Sequence, residues 1–199
     1  LGVDDDASTF APEHPILQEA HRRLPHLRLG RTGLVLEALI PAIIEQRVHG
    51  LSAFGSWRYL VSKFGEKAPG PTPKPMFVFP TPDVWRRIPS WEYHRANVDP
   101  ARSKTIVRVA CAAGRLEEAS GMTTEDAARR LRAIPGVGVW TAAETAQRAL
   151  GDPDALSVGD YHLASVVGWS LLGRPIDDAE MVEYLRPLAP HRHRAIRLL

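Results

Sequence analysis

Two helical patterns meet across Ile134-Pro135-Gly136-Val137-Gly138, and that stretch restricts the fold more than any other part of the chain. Upstream, Thr123 with Asp126 three positions on forms a capping pair, and Ala127, Ala128 and Leu131 continue the helix it starts. Pro135 and Gly136 end that helix, Gly138 permits a tight reversal, and an alanine-rich helix follows at once. Glycines bare the backbone in such a turn. The second helix adds unpaired N–H groups and the positive end of its dipole, so the object suits an anion. A DNA phosphate fits that description and brings no sequence preference. A plain helical hairpin with a glycine-rich turn has the same local pattern, so the surrounding residues must decide between the two.

Strand signals are nearly absent elsewhere. One extended candidate, Met76-Phe77-Val78-Phe79, is boxed by Pro75 and Pro80. The remainder predicts helices over 14–24, 33–48, 53–64, 82–88, 101–114, 124–133, 139–150, 160–172, 178–187 and 191–199. The fold class is therefore all-α. The helix over 33–48 is apolar on nearly every side, which sets it at the centre of a core, and Pro41 is expected to kink it. Proline-rich residues 65–82 read as a loop or extended linker. The expected architecture is a two-lobed helical bundle with a cleft between the lobes. Residues 31–158 form the lobe with the hairpin near 131–143, and residues 1–30 with 159–199 form a second lobe from both termini.

A hydrophobic fraction of 44% supports a proper core and argues against disorder. The formal charge of +2 permits a nucleic-acid partner without demanding one. Cys111 is the only cysteine, which excludes an internal disulfide and a four-cysteine iron–sulfur cluster within one chain. The longest apolar stretch, Leu34 to Ile44, contains Glu37 and Pro41 and is too short to span a bilayer. These features lead us to expect a cytoplasmic, nucleoid-associated protein of bacterial type, with no membrane partner, acting as a monomer. The chain starts without methionine and stops at Arg197-Leu198-Leu199 inside an apolar helical pattern, so both ends are expected to be trimmed.

The hairpin Ile134-Pro135-Gly136-Val137-Gly138, followed by Val158-Gly159-Asp160-Tyr161-His162, resembles the signature of the helix-hairpin-helix DNA glycosylases, and most of all the 3-methyladenine DNA glycosylase II branch. In that family a proline-glycine hairpin precedes an aspartate on the next helix. The step from Trp140 to Asp160 is 20 residues here, similar to that branch. Leu36 to Val48, with Gln46 near its end, resembles a further helix of the family, and the likeness runs over about residues 14–199. Where lyase-competent members carry a lysine two positions after the second hairpin glycine, this chain has Trp140. The resemblance therefore implies a monofunctional enzyme without the amine that forms a Schiff base.

What the resemblance implies is excision of a damaged, alkylated purine from double-stranded DNA. The base is flipped out of the stack and its N-glycosidic bond breaks through an oxocarbenium-like transition state. Asp160 is the candidate catalytic carboxylate, stabilising that charge and orienting water. Read by itself, Ser157-Val158-Gly159-Asp160 is an ordinary capping box. Trp140, Glu144 and Tyr161 are candidates for the base pocket, the aromatic rings suiting a cationic purine, with Trp91 and Tyr93 as weaker candidates. Glu144 departs from relatives with an aromatic at that place. The candidate DNA contacts are Gln46, Arg47, Gly136, Gly138, Val139, Thr141 and Arg192, with Arg47 where several relatives use an apolar wedge. His191, Arg192, His193 and Arg194 form a basic cluster fit for phosphate. The backbone carbonyls of Arg132, Ile134 and Val137 match those that bind a sodium or potassium ion in the family. No cofactor is expected for catalysis.

Other readings compete. Uracil, hypoxanthine or a bulky adduct is an alternative substrate. A non-catalytic helix-hairpin-helix module would keep the glycine turn without needing Asp160. A bifunctional lyase needs a lysine at 140, and a helical scaffold explains neither the hairpin nor the aspartate.

Overall fold

The structure is a computed structural model in which residues 2–199 are described. It is helical throughout, with no strand among the described residues. The order is α1 Pro15–Arg23, α2 Val35–Ile44, α3 Gly50–Phe64, α4 Pro82–Arg87, α5 Ser90–Arg95, α6 Pro100–Cys111, α7 Ala113–Glu117, α8 Thr124–Arg132, α9 Val139–Thr145, α10 Leu163–Leu172, α11 Asp178–Leu185 and α12 Arg192–Ile196. A π turn over Ala146–Leu150 extends α9, and α2 runs through Pro41.

Two apolar cores organise these elements. The larger one surrounds α2, whose Val35, Leu39, Ile40, Ile43 and Ile44 are wholly buried; it also takes Ile106, Val109, Leu131, Val137 and Ala149. The second joins Phe10 and Leu17 to Val167, Leu171, Met181, Leu185 and Ala195. Leu156 belongs to the second core and Val158 packs on it, so the terminal group of residues begins slightly before residue 159.

Several local expectations need correction. The helix over 33–48 is shorter, because Glu45 to Val48 turn away after Ile44. Its first N–H groups are capped from afar: Glu117 accepts from Val35 at 2.9 Å and from Leu36 at 2.8 Å. A carboxylate at that end suits the helix dipole. The helix over 160–172 begins only at Leu163. The extended candidate at Met76–Phe79 makes one isolated antiparallel bridge, Lys67 to Phe77.

Candidate active site

The hairpin lies against α2 and α6. Gly136 has φ of 99°, and a Cβ there would stand 2.1 Å from Thr105 Oγ1, so only glycine fits. Gly138 is different. Its backbone is extended, and a Cβ would meet nothing within 4 Å. No side chain caps α9, which leaves its first N–H groups facing outward. Gln46 Nε2 donates to the Gly136 carbonyl at 3.0 Å and to Thr141 Oγ1 at 2.8 Å. Gln46 and buried Thr141 therefore hold the hairpin to α2, the Gln46 amide N–H groups and the Thr141 hydroxyl bonding within the protein. Val139 and Arg47 are exposed, and Arg47 sits at φ of 55°.

Asp160 lies in the turn before α10. Its Oδ1 accepts the N–H groups of His162 at 2.9 Å and Leu163 at 3.0 Å, and its Oδ2 accepts the Trp140 indole N–H at 3.0 Å. The capping function falls on Asp160 itself. Ser157, expected to lead a capping box, gives its hydroxyl to Glu144 instead. Three N–H donors fix the carboxylate's orientation, and the indole ties it to the hairpin helix.

Beside Asp160 opens a cleft of about 510 Å³ between the face of α9 with its π turn and residues of the second core; Trp140, expected in the base pocket, does not line it. One wall comes from α9 and its π turn: Glu144, Gln147 and Arg148. Ser157, Asp160 and Leu163 form the next, and residues 27–30 with His193 and Ile196 close the far side. Glu144 is the hub of the near wall. Its Oε1 accepts from Ser157 at 2.6 Å, and its Oε2 pairs with Arg148 at 2.9 Å. Arg148 also reaches Glu45 at 3.4 Å. Burial raises the Glu45 carboxyl above its ordinary value; Arg148 opposes that rise, and Glu144 adds to it. Gln147 donates to Ser157 Oγ at 2.9 Å and to the Ala155 carbonyl at 3.0 Å. Burial and the neighbouring Arg197, Arg194 and Arg148 push His193 down to about 4.

Other expected residues stand elsewhere. Tyr161 is 91% exposed, packs edge-on against His162 and does not line the cleft, because it occupies the turn ahead of α10. Trp91 is exposed on α5, and buried Tyr93 donates to the Trp85 carbonyl. Arg192 is held in a two-pronged pair with Asp154, at 2.9 and 2.5 Å. Its neighbours turn inward as well: Arg194 pairs with Asp5, and His191 bonds Thr9 at 2.7 Å. The basic cluster is an internal staple between the C-terminus, the N-terminal segment and the 152–154 loop. The reading from sequence omits Gln147 and Arg148, although they follow Glu144 by three and four positions and so share its helix face.

No family model matches the chain. It is 32% identical over 151 residues to the probable bifunctional transcriptional activator/DNA repair enzyme AlkA of Mycobacterium tuberculosis, covering 75% of this chain and 30% of that protein. It is 27% identical over 168 residues to the DNA-3-methyladenine glycosylase of Bacillus subtilis, covering 81% and 55%. Among solved structures it superposes on the 3-methyladenine DNA glycosylase of Archaeoglobus fulgidus with a TM-score of 0.75 at 23% identity, over 92% of this chain and 63% of that one. The chain thus resembles members of the helix-hairpin-helix DNA glycosylase superfamily in sequence and shares their helical fold. A further superfamily structure, the 3-methyladenine DNA glycosylase Mag1 of Schizosaccharomyces pombe in complex with abasic DNA, matches at a TM-score of 0.75 and 19% identity, over 95% of this chain and 91% of that one. The chain spans about a third to a half of the length of the two curated superfamily relatives. No helix among the described residues is long and apolar enough to cross a membrane.

Proposed function

We propose that this chain is a monofunctional DNA glycosylase that hydrolyses the N-glycosidic bond of an alkylated purine in duplex DNA. The observation that carries the reading is the Asp160 carboxylate, oriented by the Trp140 indole N–H at 3.0 Å and opening onto a cleft with room for a base. Duplex DNA seats on the outward N–H groups at the start of α9, where the bare Gly138 lets a phosphate approach. Arg47 fills the gap left in the stack. An exposed arginine in the left-handed region carries strain of about 1 kcal/mol or more, a cost usual at sites that act on a ligand. Asp160 then faces the sugar as the bond to the base lengthens. Its negative charge stabilises the oxocarbenium-like transition state, and a carboxylate oxygen orients the water that adds to the anomeric carbon. No lysine lines the cleft to trap the sugar as a Schiff base, so an abasic site is the product.

The hairpin also offers a fit to a monovalent cation. The Arg132 and Val137 carbonyls accept no hydrogen bond among the described residues, and the Ile134 carbonyl accepts only Val137 N–H at 3.0 Å. Carbonyls with free lone pairs in one turn suit sodium or potassium, which would supply positive charge to a neighbouring phosphate.

The test is free-base release from methylated duplex DNA by the chain and by Asp160→Asn. The wild type releases methylpurine, and the variant loses on the order of 10²–10³-fold in rate, the worth of one electrostatic contact to the transition state. Borohydride traps no covalent complex in either. DNA binding by the wild type without release of any methylpurine would overturn the catalytic reading and leave a binding module.

A further inference from the structure

The lining of the cleft indicates how a flipped base is read. It contains no phenyl, phenol or indole ring. A cationic purine in this cleft is therefore not held between aromatic faces, and recognition falls on hydrogen bonds. Arg28, Gln147, Ser157, Asp160, His193 and Arg197 also line the cleft, and the two charged groups paired on its near wall are Glu144 and Arg148. Glu144 offers only acceptors, and Arg148 offers only donors.

Glu144 is fixed before any base arrives. Its side chain is 15% exposed, Ser157 binds Oε1, and Arg148 binds Oε2. Each carboxylate oxygen has a second lone-pair site, so both remain able to accept one more N–H. Gln147 cannot compete as a donor, since its amide group is already given to the Ala155 carbonyl and Ser157 Oγ. Arg148 has further N–H groups beyond the one nitrogen shared between Glu144 and Glu45. The wall thus presents two acceptors side by side with a cationic donor next to them.

From this arrangement we infer that the cleft selects guanine-type bases through Glu144 and Arg148, so that N7-alkylated guanine is preferred over 3-alkylated adenine. The inference rests on the glycosylase reading and adds the base to it. Guanine carries two adjacent donors, N1–H and the exocyclic N2 amine, followed by the O6 acceptor. A carboxylate takes the two donors in parallel, and the Arg148 guanidinium takes O6. Alkylation at N7 leaves that edge intact and puts positive charge on the ring, which strengthens both N–H donors. Adenine presents one amine and a bare N1 lone pair on the same edge. That lone pair meets a carboxylate oxygen, and an acceptor facing an acceptor leaves both unpaired. Hypoxanthine keeps N1–H and O6 without the second amine and ranks between them.

The experiment uses duplex DNA treated with a methylating agent, and chromatography of the bases released by the full chain. The wild type releases 7-methylguanine faster than 3-methyladenine, each measured against its content in the DNA. Glu144→Gln replaces one acceptor by a donor at constant shape, and the ratio of 7-methylguanine to 3-methyladenine release falls about tenfold, the discrimination expected of a bidentate pair. Arg148→Met lowers the same ratio by removing the O6 donor. A wild type that prefers 3-methyladenine, or a Glu144→Gln that slows both bases alike, overturns the guanine assignment and leaves the glycosylase reading standing. Release of neither base by the wild type overturns both. Should Glu144→Gln fail to fold, the wild-type ratio and competition by free 7-methylguanine against free 3-methyladenine decide the question alone.

Discussion

Replacing the two hairpin glycines one at a time separates what the turn needs in order to fold from what it needs in order to bind. At Gly136, φ is 99° and an alanine Cβ would lie 2.1 Å from Thr105 Oγ1 and 2.9 Å from Thr105 Cγ2. Thr105 cannot swing away freely: it is buried, and its hydroxyl donates to the Ala101 carbonyl at 3.0 Å. The backbone strain is about 1–2 kcal/mol, and overpacking adds about 1–3 kcal/mol. Gly136→Ala is therefore expected to cost about 3 kcal/mol, or roughly 10 °C in Tm for a chain of this length. In a Thr105→Ala background the two closest atoms are gone and only the Cβ contact at 3.1 Å remains, so the same substitution costs little beyond the strain. The double-mutant coupling is then about 1–2 kcal/mol in urea denaturation. Gly138→Ala has an ordinary φ of −90° and no atom within 4 Å of the new methyl. Its stability stays within about 0.5 kcal/mol of wild type. Its duplex affinity at fixed low salt falls about tenfold, the worth of one hydrogen bond to a charged oxygen. Additive stabilities at 105 and 136, or unchanged DNA affinity in Gly138→Ala, would refute this division of labour.

The other expectations are read from the terminal staple. Arg192→Ala breaks the pair to Asp154, whose partners are each about a quarter exposed, and costs about 1–2 kcal/mol, less than a fully buried pair and more than a surface one. Asp154→Ala costs about the same, and the two together cost little more. The dependence of duplex affinity on salt stays unchanged in Arg192→Ala; a slope smaller by about one would instead put Arg192 on a phosphate. His193 titrates near 6.5 when unfolded and is held down to about 4 in the folded chain. The unfolded state alone binds that proton between these values, so stability is full above pH 6.5 and falls as pH drops towards 4, by up to about 3 kcal/mol. His191, lowered mainly by burial, acts in the same direction, whereas Glu45 and Asp152, raised mainly by burial, oppose it near the acid end. His193→Gln flattens the slope of urea-derived stability over that window, and an unchanged slope would count against this assignment.

What the sequence makes legible here is local chemistry. The hairpin is readable because proline and glycine at 135, 136 and 138 act on their own backbone and need no partner far away. Helix α8 is readable for the same reason: Thr123 Oγ1 accepts Asp126 N–H at 3.2 Å, as the three-residue spacing implies. What escapes is long-range. Arg192 looks free for phosphate until Asp154, 38 positions away, closes on it. Glu117 caps α2 across more than 80 residues, and nothing in its neighbours announces that. Tyr161 fails for a subtler reason. As an aromatic beside the aspartate it reads as a pocket wall only if the helix starts at 160, and a start at Leu163 points it into solvent.

Asp160 is the residue for which neither kind of reading suffices. Its cap on His162 and Leu163 belongs to the segment leading into the second core, whereas its bond to Trp140 belongs to a helix packed on the first. A capping aspartate alone is commonplace, and a half-buried tryptophan alone is too. The single contact between them, made where two cores leave a cleft of about 510 Å³, turns a helix cap into a carboxylate held at a fixed place on the cleft wall.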